Sequence, residues 1–298
     1  MTAGRAEPLS GLTLYSRAAQ TSSARIIREY STSFGMATRL MDRSLRAGIE
    51  SIYGLVRIAD EIVDGAAAEA GVTPEAQLAL LDALEAETER TLQLGFCTNL
   101  VVHSFGVTAR ATGITAELTR PFFASMRRDL DPADFTNEQV RDYIYGSAEV
   151  IGLMCLKVFL SEVPEDALRR RLLEHGARRL GAAFQKINFL RDLHVDWSTL
   201  NRNYFPDVDP EHLTDPEKLA LIADIEADLD AAGAAIPYLP RSCRAAVATA
   251  HGLFTELTAR IRTTPATELL TRRIRVPTAV KLRILLAAQV TSRGRERG

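Results

Sequence analysis

The stretch YGLVRIADEIVD, residues 53–64, is apolar at most positions yet carries Arg57, Asp60, Glu61 and Asp64. An α-helix advances about 100° per residue, which puts Tyr53, Arg57, Asp60 and Asp64 on one stripe about 60° wide, with Glu61 at its edge. A purely solvated face would not leave the rest of the stretch this rich in Ile, Val and Leu. The pattern predicts a mostly buried helix that presents an ordered line of an aromatic, a cation and two acids.

Far downstream, FQKINFLRDLHVDW, residues 184–197, repeats the arrangement. Gln185, Asn188, Asp192 and Asp196 occupy an arc of about 80°, and Arg191 lies one step aside. Phe189, Leu190, Leu193 and Trp197 line the adjoining faces, so this helix too is expected to pack on both sides. His194 falls opposite the acids and reads as a packing or surface histidine.

Helix punctuation surrounds both stretches. Thr73-Pro74-Glu75 is a cap with proline at the first helical position, opening a run that should stop near Gly95. Thr136–Gln139 and Thr214–Glu217 fit the capping-box pattern. Pro164, Pro240, Pro265 and Pro277 mark further boundaries. Alternating β-branched runs and Asn-Gly or Asp-Gly hairpins are missing. The expected class is all-α, with about ten helices at ordinary helix and loop lengths.

Bulk composition narrows the function. The 298 residues are 46% apolar and 25% charged, with a net charge of −2, so no global field draws in nucleic acid or an anionic surface. Cys97, Cys155 and Cys243 form no C-x-x-C pair, and the five histidines form no H-E-x-x-H, so zinc and disulfide frameworks are not indicated. The first twenty residues lack the apolar core of a signal peptide. The most apolar late segment, VKLRILLAAQV, is broken by Lys281 and Arg283 and falls short of the roughly 20 residues that span a bilayer. A soluble, reducing, cytoplasmic setting is expected.

Two carboxylates at i and i+4 repel by a few tenths of a kcal/mol even when exposed, and inside a cavity each raises the other's pKa. Two such stripes around one cavity call for cations. Mg2+, with Mn2+ as a substitute, suits one or two carboxylates completed by water and phosphate oxygens, while Arg57 and Arg191 would grip phosphate directly. A di-iron bundle would need Glu-x-x-His pairs, and the sequence has none.

These residues resemble the squalene/phytoene synthase family of head-to-head trans-prenyltransferases, over roughly residues 30–290. YSTSFGMATRLM resembles the S-x-S-F opening through Ser31, Ser33 and Phe34. YGLVRIADEIVD resembles Y-x-x-x-R-x-x-D-D-x-x-D. YIYGSAEVIGLM resembles Y-x-Y-x-V-A-G-x-V-G through Tyr143, Tyr145, Ala148 and Gly152. QKINFLRDLHVD resembles Q-x-x-N-x-x-R-D-x-x-x-D, and RNYFP resembles R-x-Y-L-P through Arg202 and Tyr204.

The resemblance implies a single isoprenoid-synthase-type helical bundle around a central apolar cavity, spanning 1–298 with poorly ordered ends at 1–20 and 292–298. It implies Asp60, Glu61, Asp64, Asn188, Asp192 and Asp196 as metal ligands. Ser31, Ser33, Arg57, Gln185, Asn188, Arg191 and Arg202 would hold the diphosphate. Tyr53, Tyr145 and Tyr204 would join the four aspartates in catalysis, and Phe34, Glu149, Gly152 and Phe189 would line the cavity. Phe34 and the tyrosines could steady a carbocation at about 2 kcal/mol when desolvated; core packing accounts for each of them as well.

The implied reaction joins two prenyl diphosphates, geranylgeranyl or farnesyl, through a cyclopropylcarbinyl diphosphate to a phytoene- or dehydrosqualene-type hydrocarbon. NADPH is not expected, no transmembrane segment is expected, and peripheral membrane contact would serve product release. Three positions depart from the family pattern: Glu149 for a glycine, Val195 for an acid and Asn201 for a glycine. Glu149 motivates an alternative acceptor, such as an aromatic metabolite, or a terpene cyclisation. A helical binding protein without turnover is the further alternative.

Overall fold

The computed structural model describes residues 10–131, 135–164, 166–200 and 203–294, with the side chains of residues 32, 33, 194–200 and 290–294 outside the described set. Among the described residues every regular element is helical. In chain order these are α1 (Gly11–Tyr30), α2 (Thr32–Thr38), α3 (Arg43–Val63), α4 (Ala66–Glu69), α5 (Pro74–Leu94), α6 (Leu100–Thr112) and α7 (Ala116–Asp129). Then follow α8 (Asn137–Ile144), a π-helical turn (Tyr145–Glu149), α9 (Val150–Phe159), α10 (Ala167–Leu200) and α11 (Asp215–Ala235). A 3₁₀ turn (Ile236–Tyr238) leads to α12 (Arg241–Thr263), α13 (Ala266–Leu269) and α14 (Thr278–Gly294). The excess over ten comes from short pieces such as α4 and α13, single turns that the apolar period does not resolve.

Local chemistry sets the boundaries. The Thr73 side chain accepts from the Ala76 N–H, and α5 ends where Gly95 turns left-handed at φ 75°. Thr136 and Thr214 both form complete capping boxes, with Gln139 and Glu217. Pro240 and Pro265 stand at the N-caps of α12 and α13.

The expected poorly ordered end over 1–20 is corrected by α1, which is helical from Gly11 onward. Its Tyr15 hydroxyl donates to the Cys97 carbonyl at 2.9 Å, and Ser16 Oγ lies 2.9 Å from His103 Nε2. Those cross-links, made to residues some eighty positions away, hold a segment whose sequence alone reads as polar.

Burial explains α3: Leu45, Ile52, Leu55, Ala59 and Val63 fall on one helical face and are buried, which leaves the acid stripe on another. They share a core with α5, α6, α7 and α9. A second core unites α10 with α11, α12 and α13. Between them lies an aromatic group of Phe135, Tyr143, Phe189 and Tyr204. The π turn sits against α7: a Cβ on Gly146 would meet the Pro121 carbonyl oxygen at 2.2 Å, so only glycine lets the two backbones approach this closely. None of the three cysteines is paired.

Candidate active site

Along α3, Tyr53, Arg57 and Asp60 keep the predicted line. The Tyr53 hydroxyl bonds Ser31 at the start of α2, and Ser31 itself accepts from the Phe34 N–H at 3.2 Å. Arg57 lies over the Tyr30 ring at 4.4 Å and 3.8 Å from Asp60. Asp64 stands one residue past the helix, at its C-cap, and is exposed.

Glu61 has a different posture. Arg57 Nε donates to it at 2.8 Å and the Ala66 N–H at 2.8 Å, and Tyr30 bonds it too. These contacts fasten the turn between α3 and α4.

Burial pushes the Asp60 carboxyl up to about 7, against the pull of Arg57 and with Asp64 and Glu61 adding to the rise. The side chain is still 37% exposed, so the cost comes from the surrounding protein mass and the neighbouring acids rather than from full enclosure. A carboxyl held this high is only partly ionised at neutral pH unless a cation arrives.

On α10, Gln185, Asn188, Arg191 and Asp192 share the other stripe. Arg191 Nε donates to Asp192 at 3.0 Å. Arg273, in the loop before α14, approaches the same carboxylate at 2.7 Å. The sequence reading had not placed Arg273 in the site; it lies eighty-one residues away and outside any motif. Gln185 and Asn188 are half-buried, and their side-chain amides make no hydrogen bond to the other described residues. Asp196 lies on α10, but its side chain is outside the described residues, as is that of Ser33; Arg202 is outside them altogether.

Tyr143 links the two stripes. It is buried, its ring lies 6.0 Å from Phe189 on α10, and the Asp64 charge on the α3 side contributes to a hydroxyl pKa raised well above the usual value, chiefly by burial. The hydroxyl donates to buried Asp129 at 2.7 Å. Tyr204 also reaches Asp129, at 3.4 Å, and stacks on Phe189 at 3.9 Å. Sequence motifs named Tyr143 without giving it a role and missed Asp129, whose partners are remote in the chain.

Tyr145 lies under the Arg178 guanidinium at 5.3 Å, and Arg178 Nε donates to Glu149 at 2.6 Å. Glu149 is absent from the lining of the apolar cavity. The carboxylate expected to meet a carbocation or a different acceptor is paired with an arginine instead.

That cavity, about 200 Å3, runs beside α10 and carries no charged side chain. Phe34 and Phe184 stand at one end, next to Ser31 and Gln185; Phe184 stacks on Phe254 at 3.7 Å. Leu173, Phe159 and Leu239 wall the other end, about 16 Å along the α10 axis from Phe184 at 1.5 Å per residue. Gly152 belongs to the wall: a Cβ there would meet the Ala177 carbonyl oxygen at 2.5 Å. Phe189 and Tyr204 lie in the aromatic group instead.

The donors suit a hard divalent cation. Paired carboxylates, one of them costly to ionise, and two side-chain amides without a partner among the described residues match the oxygen chemistry of Mg2+. Among the described residues no three His, Cys, Asp or Glu side chains form a ready-made cage. Mg2+ does not require one, because it keeps waters and takes substrate phosphate oxygens.

Comparison with known proteins completes the assignment. A dehydrosqualene synthase crystal structure superposes with a TM-score of 0.74 over 95% of this chain and 99% of that one, at 18% identity. The squalene synthase HpnC from Alicyclobacillus acidocaldarius gives 0.69 over 84% and 95%, at 21% identity. These likenesses define the fold. Phytoene synthase of Mycobacterium tuberculosis is 27% identical over 288 residues, covering 90% of this chain and 89% of that protein. The squalene/phytoene synthase profile matches residues 27–279. The chain belongs to the squalene/phytoene synthase family of prenyltransferases, whose chemistry is head-to-head prenyl condensation.

Proposed function

We propose that the protein condenses two prenyl diphosphates, geranylgeranyl or farnesyl, head to head into a phytoene- or dehydrosqualene-type hydrocarbon. The observation that carries this is a charge-free cavity whose mouth adjoins both acid-bearing helices, with Tyr143 between them. Asp60 and Asp64 on one side and Asn188, Asp192 and Asp196 on the other would hold Mg2+, with Glu61 fastening the turn behind them. Bound there, the metal would neutralise the charge that develops on the leaving diphosphate. Arg57, Arg191 and Arg273 orient phosphate oxygens, and Ser31 and Tyr53 mark the boundary where phosphate ends and hydrocarbon begins.

When the first allylic C–O bond breaks, its electron pair leaves with the diphosphate. The second substrate's double bond attacks the resulting cation, and loss of one proton closes the cyclopropane. The second diphosphate then departs, the skeleton rearranges, and loss of another proton leaves the linear hydrocarbon without any reductant. Phe34 and Phe184 at the mouth and the aliphatic walls exclude the water that would trap either cation. The Glu149–Arg178 pair, set outside the cavity lining, supports a prenyl acceptor over a different one.

Purified protein incubated with either diphosphate and Mg2+ should yield a hydrocarbon of twice the substrate's carbon count by mass. An isoprenoid alcohol or a monomeric cyclic product would overturn the reading.

A further inference from the structure

Glu61 stands in the acid line of α3 but turns away from it. The longest of the three acids there, it reaches back one helical turn to Arg57. Its Oε1 accepts from Arg57 Nε at 2.8 Å and from Nη2 as well. Its Oε2 accepts from the Ala66 N–H at 2.8 Å, at the start of α4, and the Tyr30 hydroxyl bonds the same carboxylate. These four donors fill about as many lone-pair sites as a carboxylate offers. No lone pair is left over for a metal ion. Gly65 makes the posture possible, because a Cβ there would run into Glu61 Oε2.

The arginine is fixed from two directions. Its guanidinium lies over the Tyr30 ring at 4.4 Å and gives the edge formed by Nε and Nη2 to Glu61. Nη1 makes no hydrogen bond among the described residues and approaches only Asp60, at 3.8 Å. One face and one edge are therefore held, and the remaining edge looks along the stripe toward Asp60. On the outer side of Arg57 lies an open hollow of about 420 Å3, walled by Ile26, Ile58, Ile62 and Ala67. An untethered guanidinium would have room to turn into it.

We propose that Glu61 is a positioning residue, which sets the Arg57 guanidinium so that its remaining edge meets a diphosphate oxygen arriving at Asp60. The inference rests on the reading of this site as one that binds diphosphate. Arginine recognises phosphate through a planar fork, so its orientation decides whether the contact forms. Holding that fork in advance spares the ligand the ordering of a long, rotamer-rich side chain. On this side of the site the cation is left to Asp60 and Asp64.

The test is calorimetric titration of pyrophosphate into the full chain over a range of Mg2+ concentrations, for wild type, Glu61→Gln, Arg57→Ala and the double variant. Glutamine keeps an oxygen for the Ala66 N–H but has none left for Arg57, so the turn is retained while the hold on the arginine is lost. Glu61→Gln should weaken binding at saturating Mg2+ about tenfold, the size of one lost charge-assisted hydrogen bond. The half-saturating Mg2+ concentration and the helical circular dichroism should not change. On the Arg57→Ala background the same substitution should cost nothing further, because the two residues act as a unit.

Wild-type affinity in Glu61→Gln, or equal losses on both backgrounds, would overturn the proposal. So would a loss that added Mg2+ restores, which would return Glu61 to the metal. Hydrocarbon formation alongside any of these results would leave the condensation standing without this role. The expected binding pattern in a protein that forms no hydrocarbon would instead overturn the condensation and leave the positioning role in place.

Discussion

Asp60 and Asp192 occupy matching places on their helices but have opposite surroundings. Asp60 is penalised by burial and by neighbouring acids, while Asp192 sits between two arginines. Neither fills core volume, so Asp60→Asn or Asp192→Asn should lower turnover by roughly two orders of magnitude or more and leave the helical circular dichroism unchanged. Loss of folded protein in either variant would make these acids structural. The stripes were legible because helical geometry alone aligns residues three and four apart. The sequence does not separate Tyr143 from Tyr145: they differ by two positions, and only tertiary packing shows that one meets Asp129 and the other Arg178. Arg273 and the partner of Glu149 were illegible for the same reason, each contact joining residues that no periodicity relates.

At the level of elements, the tie between α1 and the turn before α6 makes a pH prediction. His103 is fully buried, its Nδ1 accepts the Cys97 N–H at 3.3 Å, and burial lowers its pKa from the usual 6.5. The unfolded chain therefore takes up a proton that the native state resists. Stability from this group is complete above about pH 6.5 and drains away as pH falls through the lowered native value. Thermal unfolding should show a falling midpoint below that pH, and His103→Gln should flatten this part of the profile; an unchanged slope would mean the histidine is not buried in solution. Caps made the element boundaries readable, since Thr73, Thr136 and Thr214 act on the next three residues. The π turn was not readable, because it answers to the close approach of Pro121 on α7.

Across the whole molecule, α10 carries the acid stripe toward one end and the cavity floor toward the other. On the proposed reaction, substrate length would be read along its axis. Ala246 is buried and lines the cavity; Ala246→Phe should fill that space and cut hydrocarbon yield more steeply for geranylgeranyl than for farnesyl diphosphate, with diphosphate binding retained. Equal losses for both substrates would place the prenyl chain elsewhere. The class of fold was clear from punctuation and pattern, whereas the cavity's depth arises from small residues on α9, α10 and α11 that sequence alone does not bring together. Calorimetric titration of pyrophosphate tests most directly whether both helices clamp a single leaving group. Binding should require Mg2+ and should be lost in Asp60→Asn and in Asp192→Asn alike, whereas full Mg2+-dependent affinity in either variant would show that the two acid stripes do not share one diphosphate.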